Sequence, residues 1–211
     1  REDDVPNVGD TLRYDICENS ILVIRTKPNE IRAFHNVCLH RGRLLREVDG
    51  PATDLRCPFH GFCWNIDGSL KQVPCEWDFP HINKDEWNLP EVKVGTWGGF
   101  VFINMDPRCE SLESFLGNLP WHFEQWDLAK RSKIAHVAKV FNTNWKVVQE
   151  AFSEAFHVVA THPQLLSSIG DANTQYDWKG NYSRAITPNG TPSPHIKFTP
   201  TEQEMFDAVA D

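Results

Sequence analysis

The chain has 211 residues, 40% hydrophobic and 24% charged, with a formal net charge of −8 at neutral pH. That length admits one large domain or two ordinary ones, each with a core of its own. The acidic balance argues against nucleic acid or an anionic membrane as the main partner, and no apolar run is long enough to predict a membrane span.

The first hundred residues read as short strands. "TLRYDI" (11–16), "SILVIRT" (20–26) and "IRAFHNV" (31–37) are rich in β-branched and aromatic residues and are separated by turn-like "CEN" and "KPNE". "EVKVGTW" and "FVFINM" are joined through Gly98-Gly99, which predicts a hairpin. Strands at this spacing suggest a small sandwich or barrel. "SLESFLGNL" (111–119) predicts a short helix capped by Ser111 and stopped at Gly117.

"SKIAHVAKVF" (132–141) alternates like a strand, and "NWKVVQEAFSEAFHVVATHP" (144–163) predicts the longest helix. In that helix Trp145, Val148, Phe152, Ala155 and Val159 recur at helical spacing, with Asn144 or Thr143 as cap. Residues 170–200 are polar and rich in Gly, Pro and Asn, which predicts loop, with Tyr176 and Trp178 placed to line an entrance. The closing "EMFDAVAD" is helical in pattern, and the chain opens on "REDDVPNVGD" with no methionine and no signal peptide. The expectation is a cytoplasmic protein cut at both ends, with a boundary near residues 118–120 between a β domain (1–118) and an α+β segment (119–211).

Six cysteines without a secretory signal point to metal binding more than to disulfides. Cys38-x-His40 and Cys57-x-x-His60 make two loops, each with one thiolate and one imidazole, and each is followed by a glycine (Gly42, Gly61). A Cys2His2 zinc finger pairs cysteine with cysteine and histidine with histidine. Two mixed loops suit a two-iron cluster in which two cysteines hold one iron and two histidines the other. A zinc-stabilised interaction module is the competing reading. Cys63 and Cys75 are read as buried thiols, and His35, His81, His122, His136 and His195 as structural.

His157 and His162 are five residues apart, about 140° round a regular helix at roughly 100° per residue. Pro163 disfavours the α conformation at His162, so the helix should end or bulge there and let the second imidazole swing back. Glu154 lies three residues before His157 and Glu150 one turn earlier. Two histidines and a carboxylate are what a mononuclear iron(II) centre takes, with positions open for oxygen.

"NVCLHRG", "CPFHGFCWNIDGSL" and "NWKVVQEAFSEAFHVVATHP" together resemble the α subunits of Rieske-type non-haem iron oxygenases over nearly the whole chain. The resemblance implies an α+β architecture: a Rieske β-sandwich followed by the start of a helix-grip (Bet v 1-like) catalytic domain, incomplete at its C-terminus. It implies that Cys38, His40, Cys57 and His60 hold a [2Fe–2S] cluster and that His157 and His162 bind the catalytic iron. Glu154 takes the place of the family's acidic bridge, which links an iron histidine to a cluster histidine of a neighbouring subunit. It also implies electrons from NAD(P)H through a separate reductase, with or without a ferredoxin, and a trimer or α3β3 assembly. O2 and a small organic substrate, aromatic or otherwise hydrophobic, would be hydroxylated, dihydroxylated or dealkylated. Three departures stand out: Ala151 replaces an Asn, Phe156 replaces a Tyr, and Glu154 is one methylene longer than the commoner Asp. The family's third, acidic iron ligand lies well beyond the histidine pair. Glu202, Glu204, Asp207 and Asp211 are too early to match it. The rival reading is a Rieske electron carrier with no catalytic iron.

Overall fold

A computed structural model describes residues 1–210; Asp211 lies outside the described residues. The chain forms two compact units, Arg1–Ile134 and Ala135–Asp211.

The first unit holds strands β1 (Asp10–Ile16), β2 (Asn19–Lys27), β3 (Glu30–His35), β4 (Gly50–Pro51), β5 (Leu55–Arg56), β6 (Cys63–Trp64), β7 (Leu70–Gln72), β8 (Glu91–Trp97) and β9 (Phe100–Asn104). They form a six-stranded sheet, β4-β1-β2-β3-β8-β9, and a three-stranded sheet, β5-β6-β7. The predicted strands and the Gly98-Gly99 hairpin are all present, with Trp97 paired to Phe100 across the turn. β2 faces cores on both sides, which explains its unbroken apolar run. Leu22 and Ile24 join Phe34, Leu55, Phe62, Trp64 and Leu89, whereas Ile21 and Val23 join Ala33 and Val92 on the other face. The first of these cores also contains Cys38 and Cys57, so the candidate ligand loops are rooted in the best-packed part of the unit.

Helix α1 (Leu112–Leu116) starts where predicted. Ser111 Oγ accepts the Ser114 N–H at 3.1 Å, and Gly117 ends the helix at φ 52°. Leu112 lies against β8 so closely that a Cβ on Gly95 would meet its side chain at 2.8 Å. A second short helix, α2 (Leu119–Phe123), follows, and Leu128 packs over Gly98. The first unit therefore extends past the residue-118 boundary suggested by composition. Cys63 is buried as expected, but Cys75 is exposed, set in a left-handed conformation (φ 52°) before a single 3-10 turn.

The second unit differs from expectation in three places. Residues 132–141 form no strand, because alternation stabilises a strand only through a ladder, and none of the described residues pairs with it. The predicted helix 144–163 is split into α3 (Trp145–Glu150) and α4 (Val158–Thr161). Its apolar stripe faces solvent in this unit, with Trp145 68% and Phe152 83% exposed. The presumed loop 170–200 contains a hairpin, β10 (Gln175–Lys179) and β11 (Tyr182–Ile186), turning at Gly180-Asn181. Tyr176 and Trp178 are exposed on this hairpin and not on a loop. Helix α5 (Glu202–Ala210) carries Glu202, Glu204 and Asp207. Among the described residues, no helix is long and apolar enough to cross a membrane.

Candidate metal centres

The two loops of the first unit share one backbone pattern. Cys38 N–H donates to the Arg43 carbonyl at 2.8 Å and Gly42 N–H to the Cys38 carbonyl at 2.9 Å. In the second loop, Cys57 N–H donates to Phe62 at 2.8 Å and Gly61 N–H to Cys57 at 3.0 Å. Both turns close through a glycine at positive φ, 74° at Gly42 and 80° at Gly61, where a side chain would strain the backbone.

This repeated geometry brings the four side chains into two pairs. Cys38 and Cys57 are both free thiols and both 2% exposed. Burial pushes the Cys38 thiol above its ordinary range, and contact with Cys57 adds to this; the backbone N–H groups of His40 and Arg41 aimed at it work the other way. The His40 and His60 rings meet edge to face with centroids 4.7 Å apart. Burial, and then the neighbouring His60, hold His40 below the usual histidine range, which favours the neutral, ligating form. His40 Nδ1 is buried with no hydrogen-bond partner. A buried ring nitrogen left unpaired costs free energy unless something coordinates it.

Two thiols in contact, two imidazoles in contact and an orphaned nitrogen on one of those rings fit a two-iron, two-sulfide cluster. Among the described residues, no three His, Cys, Asp or Glu side chains converge on one point. A two-iron cluster asks for no such trio, because each iron takes only two side chains and completes its shell with sulfide. A tetrahedral zinc site would need all four side chains around one ion.

The aromatic setting is asymmetric. Buried Phe62 stacks on His40 with centroids 4.7 Å apart, whereas the Phe59 ring over His60, at 3.9 Å, is 60% exposed. His60 is thus the solvent-facing imidazole of the pair.

In the second unit, Asn144 caps α3, its Oδ1 accepting the Lys146 N–H at 2.9 Å. After Glu150 the chain leaves the helix through turns in which Phe152 N–H donates to Gln149 at 3.1 Å and Ser153 N–H to Glu150 at 2.9 Å, and the Glu154 carboxylate then caps the entry to α4. Its Oε2 accepts the N–H groups of Phe156 and, at 3.2 Å, His157, while its Oε1 accepts Nδ1–H of the His157 ring. Glu154 and His157 therefore meet through a turn and not along a continuous helix face. These bonds, the ring contact foremost, hold the Glu154 carboxyl below the usual glutamate range. Because a carboxylate can only accept, a proton sits on His157 Nδ1, and in the neutral ring Nε2 is the nitrogen with the free lone pair.

α4 ends at Thr161, and His162 leaves the helical region (φ −127°, ψ 50°) ahead of Pro163, as the proline rule predicts. The His157 and His162 rings lie 5.3 Å apart, centroid to centroid. Two imidazoles at that separation, one with its tautomer held, fit two ligands of a mononuclear iron. Glu150 is exposed and takes no part in this cluster.

Comparison with known proteins agrees with both halves. Residues 1–83 match the Rieske [2Fe-2S] domain family, and residues 121–209 match the ring hydroxylating alpha subunit (catalytic domain) family. The oxygenase subunit of glycine betaine monooxygenase from Pseudomonas aeruginosa is 34% identical over 79% of this chain and 39% of its own length. The α subunit of biphenyl 2,3-dioxygenase from Rhodococcus jostii is 32% identical over 76% of this chain and 36% of its own. The crystal structure of the quaternary ammonium Rieske monooxygenase CntA in complex with L-carnitine superposes with a TM-score of 0.80 at 26% identity, covering 88% of this chain and 54% of that one. The chain thus spans roughly a third to a half of the relatives it matches. With two Cys-His loops in one unit, a histidine pair in the other and both family matches in the same order, the chain belongs to the Rieske-type oxygenase α subunits.

Proposed function

We propose that this chain is part of a terminal oxygenase component, in which Cys38, His40, Cys57 and His60 hold a [2Fe–2S] cluster and His157 and His162 hold a catalytic iron. The observation that carries the reading is the pairing of His157 with His162 while Glu154 fixes the tautomer of His157. A solvated polar helix face would not spend one carboxylate on a ring nitrogen and two backbone N–H groups. When bound, the cluster supplies single electrons and the iron a site where O2 is activated beside an organic substrate.

The residues of the chain do the rest. Cys38 and Cys57, buried and in no disulfide, would supply the two sulfur ligands, and the backbone N–H groups of His40 and Arg41 favour the Cys38 thiolate against the upward push of burial. His60, the exposed imidazole of the pair, is the ligand through which electrons would leave a bound cluster. Glu154 holds the proton on His157 Nδ1, which leaves Nε2 as the nitrogen that would ligate the iron. Three N–H groups fill three of the roughly four acceptor positions of a carboxylate. The fourth is free for a histidine N–H of a neighbouring subunit, which is the role the resemblance assigns to this acid. The assembly is accordingly a trimer or α3β3 hexamer in the cytoplasm, served by a reductase and, in some arrangements, a ferredoxin.

The products are hydroxylated, dihydroxylated or dealkylated forms of a small organic compound. O2 uptake by the full-length protein with NAD(P)H and a reductase, in the presence of glycine betaine, carnitine or biphenyl, tests this. Uptake coupled to product formation is expected with one of these classes. Electron transfer to an external acceptor with no substrate-dependent uptake would identify a Rieske carrier instead.

A further inference from the structure

The two cluster loops share a turn but are closed at the base in different ways. The second loop is the tip of a hairpin. β5 and β6 pair through Leu55–Trp64 and Arg56–Cys63, and the Cys57–Phe62 bond adds the next rung. The ladder itself holds Cys57 and His60 in place. The first loop has no such base. It leaves β3 at His35 and re-enters the sheet only at β4, and β4 pairs with β1, not with β3.

The side chain of Asn36 stands where that ladder would be. It is 1% exposed and makes four hydrogen bonds. Oδ1 accepts the N–H groups of Leu45 and Arg46, both at 3.0 Å. Nδ2 donates to the Arg46 carbonyl at 2.7 Å and to Ser20 Oγ at 3.1 Å. Two main-chain donors on one side and a carbonyl on the other leave the amide only one orientation. A side-chain amide has two donors and two acceptor positions, and here all are used. The Asn36 backbone N–H also donates to the Ser20 carbonyl at 2.8 Å, tying the same point to β2.

We propose that Asn36 is a positioning residue for the cluster, closing the Cys38–His40 loop by side-chain bonds in place of the strand ladder that closes the Cys57–His60 loop. This rests on reading those four residues as cluster ligands. Alanine or leucine would orphan the Leu45 and Arg46 groups, and aspartate would supply the acceptors but not the donors while burying a charge.

The test compares the full-length Asn36→Ala and Ser20→Ala variants with the wild type. The readouts are iron and sulfide per chain, the rate at which a chelator strips the cluster, and the EPR g-values of the reduced protein. Asn36→Ala is expected to lose cluster about tenfold faster or more, in line with the cost of removing groups that orient metal ligands, and to shift the g-values. Ser20→Ala removes one bond of the four and is expected to move both readouts in the same direction by less. Wild-type stripping rates and g-values in Asn36→Ala overturn the proposal, even if the variant melts at a lower temperature, because that would mark a role in folding alone. If Asn36→Ala does not fold, Ser20→Ala decides by the same criteria. A wild-type protein without sulfide would instead refute the ligand assignment on which the proposal stands.

Discussion

Replacing His157 or His162 with alanine should lower substrate-coupled O2 consumption by more than about 100-fold and leave the cluster spectrum unchanged. Removing groups that merely orient a metal ligand costs about 10–100-fold, so removing a ligand itself should cost more. The separation of the two readouts follows from the fold. The histidine pair lies in the unit that begins at Ala135, and all four proposed cluster ligands lie in the unit that ends at Ile134. His157 and His162 contribute little to packing, since the rings meet each other in a half-buried position and the neighbouring Phe156 is 83% exposed. A loss of activity without loss of fold is therefore the expected pattern. Steady-state O2 uptake together with the visible spectrum checks it. Unchanged turnover in the double alanine variant would remove the iron from this site.

Glu154 carries the second large effect. Glu154→Ala takes away three hydrogen bonds at once: the one from Oε1 that fixes the His157 ring and the two that Oε2 accepts from the N–H groups of Phe156 and His157. The ring would then be free to rotate and to change tautomer. The expected result is a fall of about 10–100-fold in iron affinity or in turnover. The backbone share alone, the loss of a helix cap, costs about 1 kcal/mol and would not unfold the unit. Glu154→Gln keeps one acceptor oxygen and is expected to fall between alanine and wild type. Glu154→Asp is one methylene shorter and cannot span ring and backbone as glutamate does, so it should rescue only in part. Iron content after equilibration at limiting iron separates these variants. Equal iron retention and equal turnover in Glu154→Ala and wild type would deny the residue any positioning role.

The two Cys-His loops were legible in the sequence because their proposed ligands come in short local pairs, each followed by a glycine that the turn requires. The sheet was legible for a similar reason: β1, β2 and β3 are joined by tight turns, and adjacent strands declare each other. The end of α4 could be read from Pro163 alone. The break between α3 and α4 could not. Phe152, Ala155 and Val159 keep helical spacing, and neither the turns at Phe152 and Ser153 nor the reach of Glu154 to two backbone N–H groups shows in that pattern. The β10–β11 hairpin was hidden by polar composition, although Gly180-Asn181 flanked by alternating residues is a hairpin signal. The 132–141 segment failed in the other direction, since alternation without a pairing partner makes no strand. Asn36 stood inside a motif that was read for its metal ligands. Its part depends on closing onto residues 45 and 46, and the sequence does not announce that closure.

Iron and acid-labile sulfide per chain in the full-length protein, taken with the EPR signal of the reduced state, test the central claim most directly. Three irons and two sulfides per chain are expected, with the signal of a histidine-ligated two-iron cluster, and a fall to two irons and two sulfides in the His157→Ala/His162→Ala variant. A colourless zinc protein without sulfide would contradict the cluster. Two irons and two sulfides in the wild type, unchanged in the variant, would contradict the catalytic iron.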